Sequence, residues 1–572
     1  MLDFKITGGN EGAKIDVKQT EKDGFLYVDV NITFQKEETP LLTNFECHVP
    51  TINNYSVWAP LFKGTRHLCP SWGRTIAESR LAVGMPVIQM ISKKDQNSLC
   101  FASSDTKSPT KISVGAREHD AQTGVYISLF TSLMAPIKEY KATWRFDMRP
   151  IPYYDALYDV VAWWEKDFGL TSSYVPDAAR MPMDSLWYSF HQKLNVDDII
   201  EECRLAKPLG MDTVIIDDGW QTEDSSGGYA YCGDWEVAKS KMGDMKELVD
   251  RLHEIGIKVM LWYSIPFVGI YSKKYHEFKD MLLNPWHNNT AFALDPRYKK
   301  VRDYLVKNYV DAINNWGLDG LKLDFIDFFA LTDEAVKPDE RRDYISLEDA
   351  IDALMTEVNQ KLTAINPEIL IEFRQRYVGP YIRKYGNMLR VTDCPNDSLS
   401  NRRGIIDLRF TSGTTAIHSD MVMWNANEPV EHAALQLASV VYSVPQVSVK
   451  LNQLPADHVQ MIKHYLGFWR ANRDVLLDGK LTAEEPWANY SAARSTLGDK
   501  EVISAYSNQF VECKVANSTL INCTNADSLI VKGCKGRNYN IVDCLGNKVG
   551  EGVIDSDLFE VKVPLCGILT AK

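Results

Sequence analysis

The sequence predicts an α/β protein in which a (β/α)8 TIM barrel is flanked by an N-terminal β-sandwich and a small C-terminal β-sandwich. Short alternating apolar runs, separated by Gly, Asn, Asp and Pro, occupy residues 1–150 and are typical of antiparallel strands. The same pattern returns after Trp487. Between these regions, eight strand patterns alternate with amphipathic helices over about 290 residues, which suits a closed parallel barrel.

Length and composition support several domains in one ordinary globular chain. At 572 residues the chain exceeds the ~250–300 residues at which single cores usually stop growing. The predicted divisions are an N-terminal β-sandwich at 1–150, a linker helix at 151–180, the catalytic barrel at 181–478 and a C-terminal β-sandwich at 479–572.

Charge and cysteine usage exclude some classes of partner. The net charge of -13 argues against nucleic acid, which is bound through clustered Lys and Arg. No apolar run reaches membrane-spanning length and no targeting signal is visible, so we expect no membrane partner and a cytoplasmic or periplasmic location. The 11 cysteines include no Cys-x-x-Cys pair, which indicates neither a zinc site nor a disulfide framework. We expect no cofactor.

Within the first predicted domain, two loops carry aromatic residues. Phe25–Val30 and Lys111–Val114 are examples of its strands. The loops are Trp58–Phe62 and Pro70–Trp72, and their indoles fit either a sugar platform or, as the pattern favours, burial at a domain interface. Residues 154–168 have helical spacing.

The barrel elements follow in order. The predicted strands are Leu186–Phe190, Asp212–Asp218, Lys258–Tyr263, Gly320–Ile326, Ile369–Arg374, Met388–Asp393, Thr415–Met421 and Gln446–Leu451. Amphipathic helices are predicted around Val301–Trp316, Ile351–Ile365 and Val459–Trp469, because their apolar residues recur every three or four positions. The C-terminal strands are predicted at Val502–Tyr506, Leu529–Val531, Tyr539–Val542 and Phe559–Val563.

The fourth predicted strand carries the most informative pair of charges. Side chains two apart on a strand share a face, so Lys322 and Asp324 point together, away from Leu321 and Leu323. A charged pair on the inner face is expensive to bury. The pair is therefore either a catalytic aspartate with a supporting lysine, which keeps it anionic, or a structural ion pair.

Other polar and aromatic residues fall at the carboxyl ends of the strands, where barrel active sites lie. They are Asp217, Asp218, Trp262, Lys322, Asp324, Glu372, Arg374, Arg390, Asp393, His418, Asp420 and Lys450. Trp187 and Trp220 are predicted near the same rim. Two carboxyls, one anionic and one kept protonated by a drier setting, would suit glycoside hydrolysis, with retention at a separation of about 5–5.5 Å and inversion at about 6.5–9.5 Å.

Four motifs in order resemble the α-galactosidases (melibiases) of glycoside hydrolase family 36, which share a clan with family 27. The motifs are Asp217-Asp218-Gly219-Trp220, Gly233-Asp234-Trp235-Glu236-Val237, Gly256–Trp262 and Gly320–Asp324. The resemblance implies that Asp324 is the nucleophile and Lys322 its partner. It also implies that Asp217 and Asp218 grip the O4 and O6 hydroxyls of an α-galactosyl unit and that Trp262 forms an aromatic wall.

The resemblance further implies Asp393 as the acid/base, with Arg390 three residues before it. Here the sequence departs from the family pattern, since Thr392–Asp397 replaces the usual Ser-Asp-Asp-Thr-Asp-like run and makes Asp397 a rival. Glu372–Arg376 replaces a motif of small residues, which places cations such as Arg374 near the C2 substituent of the sugar. Glu372, Arg374, Arg390 and Trp187 are expected to bind substrate.

The preferred reading is therefore a retaining exo-glycosidase that acts on an oligosaccharide or glycoside with a terminal α-galactosyl unit, or a close relative. A galactosyltransferase or a glycosidase of another sugar on the same scaffold remains open. So do a non-catalytic glycan-binding protein and a magnesium-dependent barrel enzyme using Asp218, Asp324, Glu372 and Asp393. A homo-oligomer is possible.

Overall fold

The computed structural model describes residues 1–61, 63–332, 335 and 337–572. Its N-terminal region consists of two antiparallel sheets. The strands are β1 (Lys5–Gly8), β2 (Lys14–Lys22), β3 (Phe25–Glu38), β4 (Thr43–Pro50), β5 (Ser56–Trp58), β6 (Thr75–Arg80), β7 (Val83–Gly84), β8 (Val87–Ile91), β9 (Asn97–Ser103), β10 (Thr110–Ala116), β11 (Gln122–Leu129) and β12 (Ile137–Asp147). Their orders are β1-β4-β11-β10-β6-β7 and β2-β3-β12-β9-β8-β5. Alternate residues such as Val28, Phe45, Val125 and Trp144 form one core between the sheets, which confirms the predicted sandwich.

Eight parallel strands form the central barrel within the described residues, as predicted. They are β13 (Met183–Ser185), β14 (Thr213–Ile216), β15 (Lys258–Ser264), β19 (Gly320–Asp324), β20 (Leu370–Arg374), β21 (Met388–Arg390), β22 (Ala416–His418) and β23 (Gln446–Val447). Seven neighbouring pairs form the sheet from β22 round to β23. A parallel bridge between His418 and Val444 connects the remaining edge.

The first barrel strand differs from the prediction. Leu186–Phe190 forms a short helix, whereas the strand is Met183–Ser185, which pairs with Thr213–Ile215. A short apolar run without clear periodicity fits either element, so the prediction placed the strand a few residues late. The sixth, seventh and eighth strands also end several residues before their predicted limits, at Arg390, His418 and Val447.

Helices surround the barrel and confirm the three amphipathic predictions. The helices are α1 (Tyr153–Phe168), α2 (Leu186–Phe190), α3 (Val196–Ala206), α4 (Lys239–Met242), α5 (Met245–Ile255), α6 (Lys273–Phe278), α7 (Lys299–Trp316), α8 (Leu347–Ile365), α9 (Ile382–Tyr385), α10 (Ser398–Arg409), α11 (Val430–Ala438), α12 (Ala456–Ala471) and α13 (Arg473–Asp478). The predicted apolar stripe of α7 is buried at Val301, Leu305, Tyr309 and Ile313. No helix among the described residues has both the length and the apolar character needed to cross a membrane.

A small three-stranded sheet is inserted after the third barrel strand, and a further β region follows the barrel. The inserted strands are β16 (Phe267–Gly269), β17 (Leu282–Trp286) and β18 (Ala291–Leu294). The last region contains β24 (Lys480–Glu484), β25 (Ala492–Leu497), β26 (Lys500–Ala505), β27 (Phe510–Glu512), β28 (Asn517–Asn522), β29 (Ser528–Lys532), β30 (Asn538–Val542), β31 (Lys548–Val553), β32 (Leu558–Lys562) and β33 (Ile568–Ala571). These strands form a seven-stranded and a three-stranded sheet with a shared core, as predicted.

A polar cluster connects the N-terminal region, the barrel and the C-terminal region. Trp58 is fully buried, and its indole N–H donates to Asp407 at 2.9 Å. The same carboxylate accepts hydrogen bonds from Arg66 and from the hydroxyl of Tyr490, each at 2.5 Å. Trp58 therefore serves the interface. Trp72 is 80% exposed, and Phe62 of the same predicted loops lies outside the described residues.

Candidate active site

Asp324 is the last residue of β19, and its carboxylate faces the mouth of the barrel. Oδ1 accepts hydrogen bonds from Arg374 Nε at 2.6 Å, from the Tyr377 hydroxyl at 2.9 Å and from the backbone N–H of Phe325 at 2.9 Å. Oδ2 accepts one from the indole N–H of Trp262 at 3.1 Å. The carboxylate is therefore tightly oriented, and Oδ2 accepts fewer hydrogen bonds than Oδ1.

The electrostatics around Asp324 favour its ionised form. Burial would raise the pKa of this carboxyl, but the Arg374 guanidinium, the Lys322 ammonium and the indole N–H of Trp262 outweigh burial and hold the pKa well below its usual range. Lys322 was expected to be the main partner. The structure corrects this, because Arg374 forms the ion pair with Asp324, whereas Lys322 acts at longer range.

Lys322 instead donates to Asp217 at 2.5 Å, across the interior of the barrel. Burial favours its neutral amine, yet the negative charge of Asp217 raises the pKa of Lys322 overall. The strand register explains the arrangement. Lys322 lies opposite Trp262 on β15 and opposite Glu372 on β20, whereas Asp324 lies one layer closer to the rim, opposite Ser264.

Asp218 follows β14 and is held by two amide side chains. Its carboxylate accepts from Gln192 Nε2 at 2.7 Å and from Gln221 Nε2 at 2.6 Å. Burial raises the pKa of Asp218 to about 6 although these two donors oppose the shift. Gly219 permits the tight turn after the pair, because it has a φ of +120° and a Cβ there would lie 2.6 Å from the Gln192 backbone.

Aromatic side chains form one wall of the pocket. Trp262 is buried on β15, and Tyr229 stacks beside it with ring centroids 6.0 Å apart and planes 22° apart. Trp187 also lines the pocket, from α2. Trp220, predicted at the same rim, is fully buried behind the wall, where its indole N–H donates to the carbonyl of Trp262. It supports the wall and does not line the pocket.

Asp393 lies on the opposite side of the pocket, just after β21. Its carboxylate accepts from Arg390 at 2.8 Å and is half exposed. Partial burial would raise its pKa, but Arg390, Arg374 and Lys322 together lower it, whereas the negative charge of Asp324 opposes that lowering. The prediction of a drier setting for the second carboxyl is therefore wrong for Asp393, because its side chain is half exposed.

Two other predicted site residues lie away from the pocket. Asp397 caps the N-terminus of α10, where it accepts the backbone N–H of Ser400 at 2.9 Å. Glu372 is fully buried in the barrel interior and accepts a hydrogen bond from Gln446 at 2.5 Å. Capping of α10 is a sufficient structural reason for an aspartate at position 397, so Asp397 needs no role in the pocket.

His418, Asp420 and Lys450 also do not line the pocket. His418 is buried, contacts the Ala179 carbonyl at 2.8 Å, and has a pKa lowered to about 4 by burial. Asp420 is a buried partner of the Arg390 guanidinium and accepts from the hydroxyl of Tyr188. The Lys450 ammonium lies over the ring of Phe190.

The resulting cavity has a volume of about 310 Å³, close to the lower limit for small-molecule pockets. Its lining consists of Trp187, Asp217, Asp218, Tyr229, Trp262, Trp286, Lys322, Asp324, Phe325, Arg374, Arg390 and Asp393. Acidic groups, cations and aromatic faces therefore converge on a space suited to a small polyhydroxylated ring. No group of three or more His, Cys, Asp or Glu residues within the described part of the chain is arranged to hold a metal ion.

Sequence reasoning missed several contacts of this pocket. Tyr229 lies in an irregular loop after Gly227-Gly228, and Tyr377 lies three residues beyond Arg374. The amides of Gln192 and Gln221 that hold Asp218 were missed as well. The Gly-Gly-Tyr sequence after a barrel strand was a usable signal for Tyr229, since binding residues concentrate on such loops. No local pattern marked the other three.

Comparison with known proteins agrees with the predicted resemblance. Residues 178–373 match the Melibiase family model. This range includes β13 to β19 and all of β20 except Arg374, with Asp217, Asp218, Trp262, Lys322 and Asp324. The matched segment, about a third of the chain, is therefore similar to the Melibiase family.

Curated relatives and solved structures extend this relationship. The chain is 27% identical over 157 residues to α-galactosidase Mel36A of Lactobacillus acidophilus, and 28% identical over 147 residues to the bifunctional α-galactosidase/sucrose kinase AgaSK of Mediterraneibacter gnavus. These alignments cover 26% and 24% of this chain but only 21% and 15% of the relatives' own lengths.

Among solved structures, the α-galactosidase AgaA of Geobacillus stearothermophilus in complex with raffinose aligns with a TM-score of 0.68 at 15% identity, covering 98% of this chain and 81% of that one. The α-galactosidase of Lactobacillus brevis aligns with a TM-score of 0.65 at 13% identity, covering 100% and 86%. At these identities the likeness shows a shared fold, which extends over nearly the whole chain.

Proposed function

We propose that the protein is a retaining exo-glycosidase that hydrolyses terminal α-galactosides, or a close relative, by double displacement. The observation that carries this proposal is the environment of Asp324. Its carboxylate is buried, anionic and oriented by Arg374, Tyr377 and Trp262 in a cavity that Asp393 also lines. A lowered pKa keeps a carboxylate in the form that attacks an anomeric carbon.

In the first step, Oδ2 of Asp324 attacks the anomeric carbon while the bond to the leaving oxygen breaks. The protonated form of Asp393 gives its proton to that oxygen, and a glycosyl ester of Asp324 results. In the second step, Asp393 takes a proton from water, the water oxygen bonds to the anomeric carbon, and Asp324 is released. Two inversions at the same carbon retain its configuration.

The charge of Asp324 also links the two roles of Asp393. Before the first step, the cations Arg390, Arg374 and Lys322 lower the pKa of Asp393, and the negative charge of Asp324 opposes that lowering. Esterification removes that negative charge, so the same cations then lower the pKa of Asp393 further. Asp393 is therefore more readily protonated before the ester forms, as a general acid must be, and more readily ionised afterwards, as a general base must be.

The other pocket residues suit recognition of a galactosyl ring. Asp217 and Asp218 provide carboxylate oxygens for two sugar hydroxyls, as the resemblance suggests for O4 and O6, and Trp262 provides an apolar face. Arg374 lines the pocket, and the resemblance implies that it stands near C2, where the family pattern has small residues. This favours a hydroxyl at C2 over an acetamido group, and the raffinose and stachyose bound in AgaA structures support an oligosaccharide substrate.

A panel of nitrophenyl glycosides tests the proposal. We expect turnover of the α-galactoside to exceed turnover of the β-arabinopyranoside, the α-N-acetylgalactosaminide and the α-glucoside. Proton NMR of the product should show α-galactose first and the β-anomer only after mutarotation. Initial release of β-galactose would contradict the retaining mechanism. Carbohydrate binding without any turnover would indicate a glycan-binding protein instead.

A further inference from the structure

A second and larger cavity lies between the N-terminal sandwich and the barrel. Its volume is about 710 Å³, compared with about 310 Å³ for the sugar pocket. The N-terminal wall comes from the loop after β5 and from β6 and β7, and the barrel wall comes from the segments after β20 and β21 and from α10. Asp393 lines both cavities and is the lining residue that they share.

The position of Asp393 indicates which part of the substrate would enter this cavity. A general acid gives its proton to the leaving oxygen, so the leaving group must lie on the Asp393 side of the sugar ring. On that side the larger cavity begins. The aromatic wall with Trp262 closes the other side, so the interdomain cavity is the space available to the leaving group of the substrate.

The acidic and basic residues that line the cavity differ in whether they have partners within the protein. The acidic residues have them: Asp407 accepts a hydrogen bond from Arg66, the Glu78 carboxylate lies 3.1 Å from the Lys111 ammonium, and Asp397 caps α10. Asp393 pairs with Arg390.

Two of the cations that line the cavity lack such side-chain partners. The side chains of Arg376 and Lys63 are exposed, and neither forms a hydrogen bond or ion pair with another side chain or backbone group in the described part of the chain. Arg403 adds a third positive charge, with its guanidinium donating to the Gly64 carbonyl at 3.0 Å. In a chain with a net charge of -13, Lys63 and Arg376 therefore place two positive charges at this wall that no carboxylate in the described part of the chain contacts directly, although the Arg376 charge also acts on Asp327 at longer range.

We infer that the interdomain cavity binds a negatively charged leaving group, such as a sugar that carries a sulfate, phosphate or carboxylate, through Arg376 and Lys63. The inference rests on the proposed function, because the role of Asp393 sets the direction of the leaving group. Leu61, Ile76 and Val83 line the N-terminal wall and offer an apolar surface to the ring of that sugar. Cationic side chains in a cleft recognise anions mainly by charge-assisted hydrogen bonds.

A matched pair of substrates tests the inference. We would compare kcat/KM for an α-galactosyl disaccharide whose second sugar carries a sulfate ester with kcat/KM for the same disaccharide without sulfate. The wild-type protein should prefer the sulfated substrate by about 25-fold, because each of the two partly exposed charge pairs contributes about 5-fold. Arg376→Gln and Lys63→Gln should each reduce kcat/KM for the sulfated substrate by about 5-fold and change that for the neutral one by less than about 2-fold.

Lys535→Gln is the matched control, because Lys535 is an exposed lysine in the C-terminal region. It should leave both substrates unaffected. Equal hydrolysis of both substrates by the wild-type protein, with no selective loss in Arg376→Gln, would overturn the inference and leave the proposed function standing.

Calorimetry with the free sulfated monosaccharide gives a readout that does not need turnover. If no α-galactoside is hydrolysed, the proposed function fails, and this titration decides about the cavity separately. Binding of the sulfated sugar that exceeds binding of the neutral sugar and is lost in Arg376→Gln supports an anion site. Equal or absent binding of the two sugars overturns it.

Discussion

Replacing the proposed acid/base with alanine should separate substrates by the quality of their leaving groups. Asp393→Ala removes the group that protonates the leaving oxygen, so hydrolysis of a natural disaccharide should slow by about 10²–10⁴-fold. A nitrophenolate needs no proton to depart, so kcat/KM for the nitrophenyl α-galactoside should fall by less than about 10-fold. Added azide should restore turnover and give an α-galactosyl azide, because a small nucleophile replaces the activated water in the second step and attacks the same face of the anomeric carbon.

The structure predicts that this variant remains folded. Asp393 is half exposed, and Arg390 retains its buried partner Asp420 when Asp393 is removed. An exposed ion pair contributes at most about 1 kcal/mol, so the melting temperature should change little.

Asp397→Ala provides the control for this experiment. Loss of the α10 cap should cost about 1 kcal/mol of stability, with kcat/KM unchanged for both substrates. Equal losses for the two substrates in Asp393→Ala would refute the assignment. A loss in Asp397→Ala that depends on the leaving group would transfer the role to Asp397.

Three further predictions follow from the pocket. Burial raises the pKa of Asp218 to about 6, and in the proposed role its carboxylate must be ionised to accept hydrogen bonds from sugar hydroxyls. We therefore expect kcat/KM for the nitrophenyl α-galactoside to fall as the pH decreases through about 6. A pH profile that is flat down to about pH 4.5 would contradict this role. Arg374→Met should raise the ratio of kcat/KM for the α-N-acetylgalactosaminide to that for the α-galactoside by about 10-fold, because it opens space near C2, whereas Arg374→Lys should change the ratio less. Trp262→Phe removes the N–H that donates to Asp324 Oδ2 and should lower kcat/KM for the aryl galactoside by about 10–100-fold, corresponding to a charge-assisted hydrogen bond of about 1.5–3 kcal/mol; an unchanged value would show that this contact is dispensable.

Much of the fold was accessible from local pattern. The alternation in Gly320–Asp324 places Leu321 and Leu323 on one face and Lys322 and Asp324 on the other, and the structure confirms that all four are buried. The helical stripe of Lys299–Trp316 was equally clear. Such patterns are readable because burial follows the repeat of each element.

Contacts between distant segments were not accessible in this way. The ion pair between Asp324 and Arg374 joins neighbouring strands that are 50 residues apart in sequence, and no local rule indicates that Arg374, rather than Lys322, contacts the carboxylate. Trp220 was misplaced for a related reason. Its motif predicted the correct turn, but only the packing of β14 against β15 shows that the indole supports the Trp262 carbonyl from behind.

Trapping of the glycosyl ester tests the central claim most directly. A 2-deoxy-2-fluoro-α-galactoside with a good leaving group should inactivate the protein, because the fluorine slows hydrolysis of the ester. Mass spectrometry of the protease digest should then find one fluorogalactosyl group on the peptide containing Asp324, and none in Asp324→Asn. An adduct on another carboxylate would contradict the account, and so would hydrolysis of the α-galactoside by Asp324→Asn at the wild-type rate.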